Sequence, residues 1–371
     1  MTRDCKTRKK IRVLQIGGNL RINGISSFIM EIYRRIDRAR IQFDFVNTAS
    51  TPGYYEEEIK RFGGNIYSIY TNKEGLARAI IHARELKHIL KHEGPFDVVH
   101  SHYFSMNGLY LHVAKSMNVP IRISHCHQSN PHNLSFSKKI ALLSSRWLIE
   151  RNATVKLGCS KAACIFLYGK HSSQTLFTGI DYDKFDINKY NQDEVYSKYK
   201  LNPKDRHLLF VGRFEKQKNL FFLLEFFVTL CKGEKNIKLI LVGTGKLKED
   251  IYKKVVDLGI LDKVLFTYGD NIVAEILSIS DVFLLPSLWE GLGIVLLEAQ
   301  AMGVPCLVSN LCPKEGDLGL CQFLPLQHAM WIQKINELLE TQLPKTPCLS
   351  KEFCIKTTLE KIVKYYEQPI L

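Results

Sequence analysis

The chain contains no CxxC pair, no GxxxxGK[ST] phosphate loop, no GxGxxG dinucleotide fingerprint and no apolar run long enough to cross a bilayer. Each absence removes a class of function. Ten cysteines without paired spacing, in a chain of 371 residues, argue for reduced, buried thiols over a disulfide frame or a zinc ribbon. His125, Cys126 and His127 alternate along a strand-like run, so the three do not easily converge on one metal. Gly17-Gly18, with Gly24 after it, follows the first apolar run but has the wrong spacing for a nicotinamide site. The second run, FDFV, leads into Asn47 where such a site needs an acid. The most apolar helical stretch, residues 220–231, has 12 residues and includes Glu225, whereas spanning takes about 20. The chain start lacks the apolar core and cleavage site of a secretory leader, so a soluble cytosolic chain with peripheral membrane contact is expected.

Acidic side chains are scarce in one half only. The chain carries 51 Lys and Arg against 37 Asp and Glu, a formal charge of +14, yet residues 1–180 hold 27 of those bases and only 12 of those acids. The second half is close to neutral, and 10 of the 12 histidines lie in the first. A positive half of this kind faces nucleic acid, an anionic membrane or a phosphorylated substrate. Nucleic acid fits worst, because no stacking aromatics interleave the bases and no recognised module is present. Arg3, Lys6, Arg8, Lys9 and Lys10 read as a solvated tail or as a membrane-surface contact.

What is present is a rhythm of short apolar runs and longer amphipathic stretches. Strand candidates are IRVLQI, FDFV, NIYSIY, DVVHSH, IRISH, ATVKLG and QTLF in the first half, and HLLFVG, IKLILVG, KVLFTYG, DVFLLPS and PCLVS in the second. Helix candidates include 26–35, 75–91 and 136–151, then 220–231, 246–258, 272–279 and 293–302. Val-, Leu- and Ile-rich strands with helical crossovers predict parallel sheets covered on both faces. Two such series predict two doubly wound α/β domains, 1–180 and 181–371, with a final helix near 352–367 that packs back toward the first. Ligands of such sheets sit at the carboxyl ends of the strands.

Three constellations fall at such ends. Glu290-Gly-Leu-Gly-Ile-Val-Leu-Leu-Glu298 follows DVFLLPS. Over a helix its two acids stand about 12 Å apart, beyond the roughly 5–9.5 Å of a glycosidase pair. They suit two acceptors on one extended polyhydroxyl ligand, with glycines and a helix N-terminus between them for a pyrophosphate. A nucleotide sugar has that form. Arg213 and Lys218 follow HLLFVG and offer a bidentate and a point-charge grip on phosphate. His100, His102, His125 and His127 end two neighbouring runs in the positive half. Gly243-Thr-Gly245 reads equally as a nucleotide approach or a tight turn. Asp181-Tyr-Asp183 has the DxD form of another transferase class but lies in the interdomain connection.

These residues resemble the retaining glycosyltransferases of family 4, the "glycosyl transferases group 1" set with the GT-B fold. The resemblance runs over nearly the whole chain and is strongest in VGRFEKQKN, LILVGTGKL, VLFTYG and PSLWEGLGIVLLEAQAMGVPCLVSN. TGIDYDKF resembles the family's hinge segment, and RISHCH is similar to members that build capsules and exopolysaccharides.

The resemblance implies two Rossmann-like domains with parallel sheets facing across a cleft. It implies that Arg213 and Lys218 hold the donor pyrophosphate, that Glu298 holds the ribose hydroxyls, and that Glu290, Gly291 and Leu292 meet the donor sugar and distal phosphate. Gly17 and Gly18 would close over the phosphates from the first domain, and His125, with His127 as alternate, would lie near the reacting sugar. The expected reaction moves a hexose or N-acetylhexosamine with retention, without a metal or other cofactor, from a nucleotide sugar, UDP-linked by family habit. Its acceptor would be a lipid-pyrophosphate glycan for capsule, exopolysaccharide or O-antigen, at the cytoplasmic face of the membrane. A non-catalytic nucleotide- or lipid-binding subunit is the alternative.

Overall fold

The computed structural model describes residues 10–129, 136–233, 236–269, 272–341 and 344–368, the side chains of 136–138 excepted. The chain forms two compact units, Met1–Thr178 with Ile355–Leu371, and Gly179–Cys354.

In the first unit, β1 (Ile11–Ile16), β2 (Ile41–Asn47), β3 (Ile66–Ser68), β4 (Val98–Ser101), β5 (Ile121–Cys126), β6 (Val155–Gly158) and the two-residue β7 (Gln174–Thr175) make one parallel sheet. Its order is β3-β2-β1-β4-β5-β6-β7. Successive residues of β1 serve opposite faces, so the strand is apolar on both. Val13 joins a core with Phe43, Phe45 and Ile123 under helix Gly24–Arg35, while Leu14 and Ile16 join one with Val46, Val99 and Leu86. That first helix starts where Asn23 Oδ1 accepts the backbone N–H groups of Ile25 and Ser26, both at 3.1 Å.

The last helix, Ile355–Tyr366, belongs to this first unit although it follows the whole of the second. Ile355, Ile362 and Tyr366 repeat at near-helical spacing and are buried in the Val13 core. Each such side chain gains about 1.5–3 kcal/mol from burial, which ties down an element remote in sequence from its partners.

In the second unit, β8 (Arg206–Val211), β9 (Ile237–Val242), β10 (Val264–Thr267), β11 (Val282–Leu285), β12 (Cys306–Ser309) and β13 (Cys321–Leu324) are all parallel, in the order β10-β9-β8-β11-β12-β13. Helix Leu220–Gly233 is apolar because it is enclosed: Leu223, Leu224, Phe226 and Phe227 are fully buried against the sheet and Trp331 of helix His328–Thr341. None of the described helices is long and apolar enough to cross a membrane.

In both sheets the first strand lies between the second and the fourth, so β1 beside β4 and β8 beside β11 mark the points where strand order reverses. In doubly wound sheets, ligands bind at the carboxyl ends of the strands beside such a point. All nine described cysteines are free, with Cys126, Cys159, Cys164, Cys306 and Cys312 buried, as the absence of paired spacing implies.

Candidate functional site

In the second unit, the segments after β8 and β11 meet at the switch point. Val211 leads into Gly212 and Arg213, a 3-10 turn spans Lys216–Lys218, and Asn219 takes a left-handed φ of +54° before helix Leu220–Gly233. From the other strand, Gln217 receives the N–H of Leu288 at 2.8 Å and gives its side-chain N–H to the carbonyl of Trp289 at 2.8 Å. These cross-links seat Lys218 against Glu290: Nζ donates to Oε1 at 2.6 Å, with the side chains only 12% and 8% exposed. Arg213 lies at the rim, half exposed, and donates to Glu215 at 3.0 Å and Gln217 at 3.4 Å.

Gly291 and Leu292 are buried, and Gly293 caps helix Ile294–Ala301 at φ +80° with no side chain to occupy the helix start. Here a glycine is required, because other residues resist that conformation. Glu298 lies half buried on that helix, so the helix start falls between the two acids, as their spacing predicts. Thus Arg213, Lys218, Glu290, Gly291, Leu292 and Glu298 all belong to two adjacent strand-end segments.

Gly243 and Gly245 have a plainer explanation. A Cβ on Gly243 would fall 1.9 Å from the carbonyl oxygen of Gly212, and one on Gly245 would fall 2.5 Å from that of Phe214. Neighbouring turns pack backbone to backbone there. Asp181-Tyr-Asp183 also serves structure: Tyr182 bonds both ways with the Ser350 backbone, at 2.8 and 3.0 Å, where the chain enters and leaves the unit.

In the first unit, Gly17-Gly18 ends β1. Gly18 has φ +93°, and a Cβ on Gly17 would lie 2.7 Å from Ile29 Cδ1. Beside it, β4 and β5 run in register with His100 opposite Ile123. Alternation then puts His100, His102, His125 and His127 on one face as a grid, with ring centres 4.1 Å apart along each strand and 5.0–5.4 Å apart between them. Cys126 falls on the other face, where its thiol reaches the carbonyl of Gln128 at 3.2 Å.

His100, His102 and His125 are buried, whereas His127 lies one residue beyond β5 and is partly exposed. Phe28 packs on three of the rings. Burial, with repulsion between the rings, holds His100, His102 and His125 well below the ordinary histidine range, and burial pushes His127 down to about 3. All four are neutral at pH 7. Nitrogens of His100, His102 and His125 lie within 4.8 Å of one another, a spacing open to a metal, but they already pair with each other and with Gln15 and Tyr366. Sequence reasoning missed those last two. Gln15 had a signal, as the polar residue of an otherwise apolar β1 core; Tyr366 had only its place in the final helix expected to pack back toward the first domain.

Residues 22–167 match the family profile of Glycosyltransferase Family 4, and residues 191–343 that of Glycosyl transferases group 1. EpsF of Bacillus subtilis (strain 168) is 31% identical over 95% of this chain and 92% of its own length. The Escherichia coli UDP-Gal:alpha-D-GlcNAc-diphosphoundecaprenol alpha-1,3-galactosyltransferase is 26% identical over 82% of this chain and 81% of its own. Among solved structures, Anabaena Alr3699/HepE in complex with UDP and glucose superposes with a TM-score of 0.77 at 15% identity, covering 95% of this chain and 98% of that one, a likeness of fold alone. With two parallel doubly wound sheets, both profiles and near-full-length kinship to EpsF, the chain belongs to the group 1/family 4 glycosyltransferases of GT-B fold.

Proposed function

We propose that the chain transfers a hexose or N-acetylhexosamine, with retention, from a UDP-sugar to a lipid-pyrophosphate-linked glycan during synthesis of a capsule, exopolysaccharide or O-antigen. The observation that carries this reading is the meeting of Arg213, Lys218 and the Glu290-Gly-Leu-Gly turn at the β8/β11 switch point. The name of the Escherichia coli relative, with its UDP-galactose donor and diphosphoundecaprenol acceptor, supports the choice of both substrates.

Arg213 and Lys218 hold the donor diphosphate, and Glu298 binds the ribose hydroxyls. Glu290, which positions the Lys218 ammonium, accepts a hydroxyl of the sugar beside the backbone of Gly291 and Leu292. As the glycosidic bond breaks, charge grows on the leaving diphosphate. Each well-placed donor lowers the barrier by about 3–4 kcal/mol. Two bases and a glycine-capped helix start supply this positive field from the protein itself, so the reaction runs without a divalent ion. His127 is the imidazole nearest the sugar in this reading and His125 lies behind it, because His125 is buried within β5 while His127 stands at its end.

The acceptor's lipid places the enzyme at the cytoplasmic membrane surface. Helix Phe136–Asn152 supports this with a face carrying Ile140, Leu143 and Trp147, each at least half exposed. Arg151 stacks on Trp147 with its guanidinium 3.8 Å from the ring centre. Apolar side chains rimmed by arginine suit the interface of an anionic bilayer.

A thermal-shift panel of UDP-, GDP- and dTDP-sugars in EDTA tests the donor site. A UDP-sugar should raise the melting temperature by several degrees at concentrations well above its Kd. No shift with any sugar nucleotide, or a shift only after divalent metal is added, would remove the reading.

A further inference from the structure

Six buried or half-buried groups at the β1/β4/β5 strand ends form one continuous chain of hydrogen bonds, and its sense determines where every proton lies. Gln15 is the centre. Its side-chain Nε2 donates to the Tyr366 hydroxyl at 3.0 Å, and its Oε1 lies 3.1 Å from His102 Nε2. An amide oxygen only accepts, so His102 carries its proton on Nε2. A neutral imidazole holds one N–H, which leaves His102 Nδ1 bare and makes His127 Nε2, 2.8 Å away, the donor to it. His127 Nδ1 is then bare as well. On the other arm, Tyr366 accepts from Gln15 and gives its own proton to His100 Nδ1 at 2.8 Å. His100 Nε2 in turn donates to His125 Nδ1 at 3.3 Å. His125 Nε2 ends the line, buried and without a partner among the described residues.

The chain of tautomers holds only while all four rings are neutral, which their burial ensures. The two arms are coupled: turning the Gln15 amide over would reverse every bond and put a proton on His127 Nδ1. The hydroxyl of Tyr366 and the ring of His102 can each donate or accept, so the sense of the chain is set by the Gln15 amide, whose Nε2 faces Tyr366 and whose Oε1 faces His102. Tyr366 is supplied by the last helix, 351 residues away from Gln15 in sequence.

We propose that Gln15 and Tyr366 are positioning residues for sugar transfer, locking His127 in the Nε2–H tautomer so that its Nδ1 is a hydrogen-bond acceptor at the end of β5. This rests on the reading of His127 as the imidazole nearest the sugar, where a bare nitrogen accepts a hydrogen bond from a sugar hydroxyl and a protonated one would instead donate to the hydroxyl oxygen, reversing the bond. The bond formed is a hydrogen bond and no proton need leave the network. The last helix is thereby part of the transfer machinery as well as of the core.

Nitrogen-15 NMR of the histidine rings in the full-length protein reads the tautomers directly. His100, His102 and His127 should all show Nε2–H at pH 7. Gln15→Met keeps the length of the side chain and removes both bonds; His127 should then populate both tautomers, and kcat should fall about tenfold, the effect of one buried hydrogen bond, with donor KM within twofold. Tyr366→Phe, which loses one hydroxyl, should give a milder mixture and a smaller loss. A wild-type His127 protonated at Nδ1 overturns the proposal. So does a Gln15→Met protein that loses activity with its His127 tautomer unchanged, since the residue is then only packing, and so does stoichiometric zinc bound to the rings. A wild type with the expected tautomers but no sugar transfer would preserve the network and remove the functional reading instead.

Discussion

The two units build the same parallel sheet and the same switch point, then equip them in opposite ways. At β8/β11 the strand ends carry full charges, with Lys218 and Glu290 paired at 2.6 Å and Arg213 at the rim. At β1/β4, extended by β5, the corresponding ends carry four neutral imidazoles, a carboxamide and a phenol joined by shared protons. In the proposed reading the charged site grips a diphosphate, and the neutral one offers a directional acceptor to a sugar hydroxyl. The fold supplies the location and the side chains at the strand ends supply the chemistry.

Acid breaks this comparison most strongly. The four grid histidines are depressed in the folded chain, chiefly by burial, so above about pH 6.5 they are neutral both folded and unfolded. Below that pH the unfolded chain takes up protons that the folded one refuses, and stability falls as pH drops. Each such histidine contributes a slope of about 1.4 kcal/mol per pH unit. In the second unit, burial depresses His207 in the same direction. Hydrogen exchange followed from pH 7.5 to 5 should show the first unit opening well before the second. Equal acid sensitivity of the two units would mean that the grid is not neutral.

Next in size is loss of fixed charge. Arg213→Ala and Lys218→Ala should each lower kcat by about 10²–10³-fold, measured as sugar transfer or donor hydrolysis. Lys218→Ala also removes the ammonium paired with Glu290, whose side chain is only 8% exposed, so it should cost stability as well. Lys218→Ala with Glu290→Gln should recover that stability and leave the activity low, separating the two effects by thermal melts and turnover.

Several of these features were legible in the sequence. Strand-end positions of Arg213, Lys218, Glu290 and the histidines follow from apolar runs that end in polar residues, and β1 matches its run residue for residue. Short elements were not legible. β13 is only partly buried along its whole length, so it lacks a strand's strong pattern. Helix Asn107–Ser116 opens with Asn-Gly, which reads as a turn. Gly108 is there because helix Phe136–Asn152 comes so close that a Cβ would lie 2.5 Å from the Ser145 carbonyl oxygen. Gln15, Tyr366 and the pairing of the four rings depend on strand register and on which residue of the returning last helix meets the strand ends, and neither is written in local spacing.

A smaller effect is expected at the surface of the first unit. Leu143→Ser with Trp147→Ser should reduce binding to anionic liposomes several-fold in co-sedimentation and leave UDP affinity unchanged, as these side chains are more than half exposed and support no core. Smallest is Gly18→Ala, where a φ of +93° should cost about 1–2 kcal/mol in a urea melt.

The division of labour between the switch points is tested most directly by titrating UDP into Lys218→Ala and His127→Ala proteins by calorimetry and measuring sugar transfer on the same samples. Transfer should fall in both, while UDP affinity falls at least tenfold for Lys218→Ala and stays within twofold of wild type for His127→Ala. Equal loss of UDP affinity in the two variants would contradict the account.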